Sequence, residues 1–231
     1  MILGQVESIQ VGRPRQYDVE GKSGRPWTSA IQKQTVLGRV HVGATNIDGD
    51  EQADLKHHGG PDKAVLAYFT NHYKDWAREF PDQSFQAGGF GENLTVTGCS
   101  EADCCIGDIV RIGHCKLQIS QPRQPCWKLD RFRKLPKLAV RVQKTGRTGW
   151  YYRVLQEGII EAGLPIELVD RPFPDVTIAW ASEVMYAKPR STENDLRLAE
   201  CAALSASWKE TFLQRATNGV EKDASARLNG T

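Results

Sequence analysis

The stretch WYYRVLQEGIIEAGLPIELV, residues 150 to 169, decides the fold. Its aromatic and β-branched residues fall into three short runs broken by glycine, which predicts three strands, the last pair turning at Ala162-Gly163. Working outward, MILGQVESIQV, TVLGRVHV, KAVLAYF, DIVRIG and KLQIS repeat the texture: short, rich in β-branched residues, several alternating apolar with polar, and punctuated by glycine or proline. Many short strands joined by long loops predict a closed or nearly closed β-barrel.

Helices interrupt the strands. In TNHYKDWAREF, residues 70 to 80, Tyr73, Trp76, Ala77 and Phe80 share one helical face and Pro81 follows as a stop. Residues 135 to 144, LPKLAVRVQK, predict a second helix ending before Gly146. Beyond about residue 174, TIAWASEVMYA, TENDLRLAECAAL and SWKETFLQRA predict three more, with Ser207 and Glu210 as a capping box for the third. The fold class expected is therefore mixed and mainly β: a barrel over residues 1–173 with a few peripheral helices, a small three-helix domain over 174–217, and a flexible tail over 218–231 that carries almost no apolar residues.

Composition bounds the function. The 231 residues, 40% of them hydrophobic, are enough for a sizeable core. No apolar run of 18 residues exists and the N-terminus does not read as a signal peptide, so a cytoplasmic location with no membrane contact is expected. A net charge of +2 exerts no overall pull toward a nucleic acid polymer or a membrane, so any anion site must be local. The six cysteines form no C-x-x-C pair, and Cys99, Cys104, Cys105, Cys115 and Cys201 read as reduced, buried thiols.

Four segments combine glycine or proline with residues able to bind anions or metals: RPWTSAIQK (25–33), HHGGPDKA (57–64), GGFGENL (88–94) and SQPRQPC (120–126). In HHGGPDKA the glycines let backbone N–H groups converge on a phosphate, although the same pair makes a tight turn between strands. His57 and His58 would then be surface residues. In GGFGENL, Asn93 has both a donor and an acceptor for the edge of a heterocycle, while a β-turn with a capping Asn is the plainer reading. Cys126 differs in kind. Arg123, Lys128, Arg131 and Arg133 surround it with positive charge, which favours a thiolate, and Pro122 and Pro125 fix the backbone. With no second ligand at metal spacing, a lone thiolate suits a metal that arrives with its other donors attached, as molybdenum does in its pterin cofactor.

The motifs GDEQAD, HHGGPDKA, HYKDWAREF, FGENL, Gly107-Asp108, SQPRQPC and TGRTGWYYRVLQEGII together resemble the MOSC proteins, named for the C-terminal domain of molybdenum cofactor sulfurases, and within them the bacterial YiiM type. The likeness runs in order to about residue 215. It implies a barrel holding the molybdenum cofactor (molybdopterin with Mo), with Cys126 as the metal ligand. Lys33, His58, Gly59, Gly60, Gly91, Asn93 and Arg123 fall on motifs around the cofactor cleft; Lys33 and Arg123 are expected as anion partners, and Glu92 or His58 as proton relays beside Cys126. The implied activity is an oxidoreductase that reduces N-hydroxylated compounds, such as 6-hydroxylaminopurine and related base analogues, to amines in detoxification. With no G-x-G-x-x-G after a strand, electrons are expected from a separate NAD(P)H-dependent flavoprotein reductase. Three alternatives stay open: a carrier that binds the cofactor without turnover, a metal-free thiol enzyme with Cys126 as nucleophile and a histidine base, and an RNA-binding barrel using the 123–134 cationic run, disfavoured by its few aromatics. The helical appendage is expected to pack on the barrel, form a homodimer contact or dock the electron donor.

Overall fold

The computed structural model describes residues 1–18, 26–220 and 223–230. Arg25, singled out in RPWTSAIQK, and the side chain of His57 lie outside the described residues. In chain order the strands are β1 (Ile2–Val11), β2 (Arg15–Tyr17), β3 (Trp27–Ser29), β4 (Gln34–Thr35), β5 (Val40–Val42), β6 (Val65–Phe69), β7 (Leu94–Thr97), β8 (Ile109–Ile112), β9 (Cys115–Pro122), β10 (Trp150–Gln156), β11 (Gly158–Ile160) and β12 (Pro165–Asp170). The helices are α1 (Leu55–His58), α2 (Asn71–Glu79), α3 (Trp127–Arg133), α4 (Leu138–Thr145), α5 (Ile178–Tyr186), α6 (Thr192–Glu200), α7 (Ala206–Asn218) and α8 (Ser225–Asn229), with a 3-10 turn at Pro61–Lys63.

Seven strands close a barrel in the order β12-β8-β9-β10-β6-β7-β1, and β1 returns to β12 through Gly4↔Ile166. Every pair in the ring is antiparallel except β6 with β7. Parallel neighbours need a crossover, and here it is α2 followed by the glycine loop at 88–91. The barrel is thus the expected one. One detail differs: β11 does not pair with β12 across Ala162-Gly163 but leaves the ring to form a ribbon with β5. Gly4 sits where β1 crosses β7, and a Cβ there would lie 1.9 Å from the Thr97 carbonyl oxygen, so only glycine allows the strands to meet.

Alternation along the strands, with an irregularity in β1 between Val6 and Ser8, turns Val6, Ile9, Val96, Val110, Ile112, Leu117, Ile119 and Ile166 inward, all fully buried. The same apolar cluster continues into α5, α6 and α7 through Ile178, Leu198, Leu204 and Phe212. Backbone bonds from Ile178 N to the Cys104 carbonyl (2.9 Å) and from Ser205 N to the Ser120 carbonyl (3.0 Å) tie these helices to the barrel. A second cluster of Tyr68, Trp76, Phe90, Leu129, Leu138 and Val142 packs α2, α3 and α4 against one flank.

Three local expectations are corrected. The helix expected at 135–144 begins at Leu138, because Leu135-Pro136 disfavours helical geometry and Lys137 is left-handed at φ 65°. The cap of α7 is Ser205, whose hydroxyl accepts from Trp208 N at 3.4 Å, so Ser207 lies inside the helix and the Ser207–Glu210 box does not form the cap. The tail, expected to fray, carries α8, whose Arg227 donates to the Pro125 carbonyl and to Gln143 Oε1. No helix among the described residues is long and apolar enough to cross a membrane.

Candidate cofactor cleft

Cys126 is the residue before α3, with extended backbone (φ −130°, ψ 166°) after the rigid Pro125. Its helix is clamped into the second cluster by Leu129, and its loop is held from the other side by Gln124 Nε2 to the Tyr186 hydroxyl (3.4 Å) and by Arg227. The C-terminal helices therefore position the cysteine. The other five cysteines are buried and free, whereas Cys126 is half-buried and lines a narrow cleft of about 90 Å³.

The cleft brings together five of the expected residues beside Cys126: Lys33, His58, Gly91, Asn93 and Arg123. His58 Nε2 lies 3.6 Å from Cys126 Sγ, and on the far side of the ring Nδ1 lies 3.7 Å from Asp54 Oδ2. Burial, reinforced by Lys128 and opposed by Asp54, lowers the His58 pKa to about 4, so the imidazole is neutral near pH 7. Arg123 is buried; its backbone N–H donates to the Gly149 carbonyl (3.0 Å) and Nη2 donates to the Phe90 carbonyl (3.2 Å). Nη1 has no hydrogen-bond partner among the described residues. A buried guanidinium N–H left over at a cleft wall is suited to an anion. Burial also pushes the Tyr151 phenol up and the Lys63 ammonium down, both lining the cleft.

The remaining expectations fare differently. Glu92 is fully buried, with Oε1 accepting from Gly88 N (2.7 Å), Thr95 Oγ1 (3.0 Å) and the Tyr73 hydroxyl, and Oε2 from Phe90 N (3.1 Å). It is off the cleft lining and braces the glycine loop, which corrects its assignment as a proton relay. Asn93 borders the cleft, but its amide is engaged by Leu66 N (3.0 Å), the Gln10 carbonyl (3.3 Å) and Asp50 Oδ2 (2.9 Å), which leaves little for a heterocycle edge. Lys33 faces the cleft and is ion-paired there with Asp50, while Arg123, Lys63 and Lys128 add further positive charge to the lining. Gly59 and Gly60 are not among the lining residues; Gly60, at φ 92°, turns the chain from α1 into the Pro61–Lys63 turn and so aims His58.

Asp50 and Tyr151 are the residues the sequence reading passed over. Asp50 ties three distant segments to its own loop by accepting from Gly12 N (2.7 Å), Lys33 and Asn93, and its signal was its place in GDEQAD. Tyr151 is the middle aromatic of WYY, opposite Gln121 in the β9–β10 register. Beyond Cys126 the cleft opens into a wider one of about 820 Å³, whose far wall is supplied by the C-terminal helices through Tyr186, Trp208 and Arg227. Among the described residues no three His, Cys, Asp or Glu side chains gather into a metal cage.

A seven-stranded barrel with one parallel pair, carrying a single half-exposed cysteine between glycine loops, defines a MOSC-type protein, and the MOSC domain model matches residues 54–167. The model of the YiiM-like 3-alpha helix domain matches residues 176–219. Protein YiiM of Escherichia coli (strain K12) is 42% identical over 209 residues, covering 90% of this chain and 92% of that protein. The crystal structure of YiiM from Geobacillus stearothermophilus superimposes with a TM-score of 0.78 at 39% identity, covering 93% of this chain and 100% of that one. A protein of Gibberella moniliformis (strain M3125 / FGSC 7600) named Reductase is 39% identical over 204 residues, 87% of this chain but 35% of its own length. The chain belongs to the YiiM family of MOSC-domain proteins.

Proposed function

We propose that the chain binds the molybdenum cofactor in this cleft and reduces N-hydroxylated compounds, base analogues such as 6-hydroxylaminopurine among them, by R–NHOH + 2e⁻ + 2H⁺ → R–NH2 + H2O. The observation that carries the reading is the pairing, in one cleft, of a half-buried soft donor, Cys126, with a buried Arg123 N–H that has no partner. That donor set fits a metal bearing an anionic organic ligand: Cys126 would hold the metal and Arg123 the anion. The family is named for a molybdenum cofactor domain, and one relative is named a reductase. When bound, the group would supply the two-electron chemistry that this chain's own side chains lack.

The protein's own part is positional and acid–base. His58 Nε2, neutral and 3.6 Å from Sγ, can pass toward solvent the proton that the thiol would lose on ligating a metal, without keeping it, while Asp54 favours the tautomer with hydrogen on Nδ1. Tyr151, kept protonated by burial, offers a hydroxyl in the same cleft. The C-terminal helices form the far wall of the wider cleft that Cys126 borders.

The order Asp54–His58–Cys126 also supports a second reading, a metal-free thiol enzyme with His58 as base. One experiment separates these from each other and from a cofactor carrier. Protein purified from a host that makes the cofactor is assayed for molybdenum and for reduction of 6-hydroxylaminopurine with a chemical reductant. Stoichiometric molybdenum with reduction, both lost in Cys126→Ala, supports the reductase. Metal without turnover of any N-oxygenated substrate leaves the carrier, and absence of metal leaves the thiol enzyme.

A further inference from the structure

The hairpin of α3 and α4 has the most uneven charge in the chain. Between residues 128 and 147 eight Lys and Arg side chains stand against Asp130 alone, +7 in a chain of net +2, so the other residues sum to −5. Arg141 and Arg147 are paired with Glu79, and Arg147 also lies 3.9 Å from Asp75. Lys134, Lys137, Arg141 and Lys144 are all exposed. The last three, spaced four and three apart, rim a shallow depression floored by Phe80, Leu138 and Val140. Val140 is 40% exposed, an apolar patch inside a ring of cations.

This face adjoins the cleft. α3 starts at the residue after Cys126 and its seven residues span about 10 Å. α4 then returns beside the same loop, since Arg227 bonds both the Pro125 carbonyl and Gln143 Oε1. The hairpin thus reaches the cleft through the start of α3 and through Gln143, which lines it, and offers electrons a short covalent and packed route from the cationic face.

We propose that the α3–α4 face docks the electron donor, and that the donor is a small acidic flavoprotein. The proposal rests on the reductase reading and completes its balance: R–NHOH + FlH2 → R–NH2 + H2O + Fl, in which the reduced flavin gives two electrons and two protons, the N–O bond breaks and the oxygen leaves as water. Carboxylates on the partner meet the lysines and steer the encounter, and the apolar floor adds burial. Electron-transfer contacts are small, so one hairpin is sufficient. A single-stranded RNA would need open aromatic platforms, but Arg131 covers Trp127 at 4.4 Å and Arg133 covers Phe85 at 4.5 Å.

The test uses the cofactor-loaded wild type, the triple variant Lys134→Glu/Lys137→Glu/Lys144→Glu and its milder counterpart with Gln at the same three positions, each checked for an unchanged melting temperature. Each is driven either by dithionite or by an acidic flavodoxin-type protein kept reduced by an NADPH-dependent reductase. The expected result is a fall in kcat/KM for the flavoprotein of at least about 10-fold in the Glu variant, a smaller fall in the Gln variant, and suppression of the wild-type rate by salt, with dithionite-driven rates equal in all three. Flavoprotein-driven rates that ignore both charge and salt overturn the docking proposal and leave the reductase reading standing. Absence of dithionite-driven reduction in the wild type overturns both. Binding of a single-stranded RNA oligonucleotide, or a dimer mass, that disappears in the Glu variant reassigns the face and overturns the proposal.

Discussion

Two loops meet where Arg123 Nη2 touches the Phe90 carbonyl, and they have used their polar groups in opposite ways. In the glycine loop every polar side chain is satisfied from within: Glu92 by four donors, Asn93 by three partners. In the loop at 120–126 capacity is left over, with Arg123 Nη1 unpartnered and Cys126 half-exposed. A charged residue in a conspicuous loop is chemistry only when its hydrogen-bonding capacity is not already filled. The first loop has filled its polar capacity, and the second keeps some for a ligand, as the proposed function requires.

The sharpest way to break that contrast is Cys126→Ala. Reduction and molybdenum content both fall to background, while the melting temperature moves by no more than about 2 °C, because a half-exposed thiol contributes little packing. A loaded, active Cys126→Ala protein removes the loop from the site. Arg123→Met comes next: losing a charge-assisted bond of roughly 1.5–3 kcal/mol weakens cofactor retention by about 10-fold to 100-fold, read as molybdenum lost on dialysis. Glu92→Gln should show the opposite pattern. It exchanges an acceptor of four bonds for an amide that cannot accept them all, costing about 2–3 kcal/mol in urea unfolding, yet activity per folded molecule is unchanged. A stable but inactive Glu92→Gln would return that carboxylate to the chemistry.

The smallest effect is in pH. His58 takes up a proton near its ordinary value of 6.5 when unfolded but only near 4 when folded, so between those values the unfolded chain binds the extra proton. Its contribution to stability is complete above 6.5 and declines as pH falls toward 4. In cofactor-free protein the decline is shallower for His58→Gln, and the His58 imidazole resonances of the wild type, assigned by their loss in that variant, show no titration between pH 8 and 6. A His58 that titrates at 6.5 would mean that the ring is solvated and not held against Cys126.

The strands were legible because alternation is local: Val110 and Ile112, or Leu117 and Ile119, announce their faces without knowledge of any partner. α2 was legible for the same reason. α3 was not, although Leu129 and Phe132 stand at helical spacing, because Pro125 and the cationic run suggested a loop. Cys126 could be picked out from its own neighbours, Pro125 and Arg123. Glu92 and Asn93 could not be sorted, since what occupies them is distant in sequence: Tyr73 lies 19 residues from Glu92, and Gln10 lies 83 from Asn93. Asp50 escaped for the same reason, its partners being Gly12, Lys33 and Asn93. Periodicity reports which face is apolar, but it carries no information about which polar group is already satisfied.

The closure of the barrel through β1 and β12 has a temporal side. Gly4 is made well before its partner Ile166, which follows only after most of the ring has left the ribosome. Until then one edge of the first strand is a bare row of N–H and C=O groups, open to pairing with a neighbouring nascent chain. Such long-range closure makes folding slow, so recovery of native protein should improve at lower growth temperature and lower expression rate.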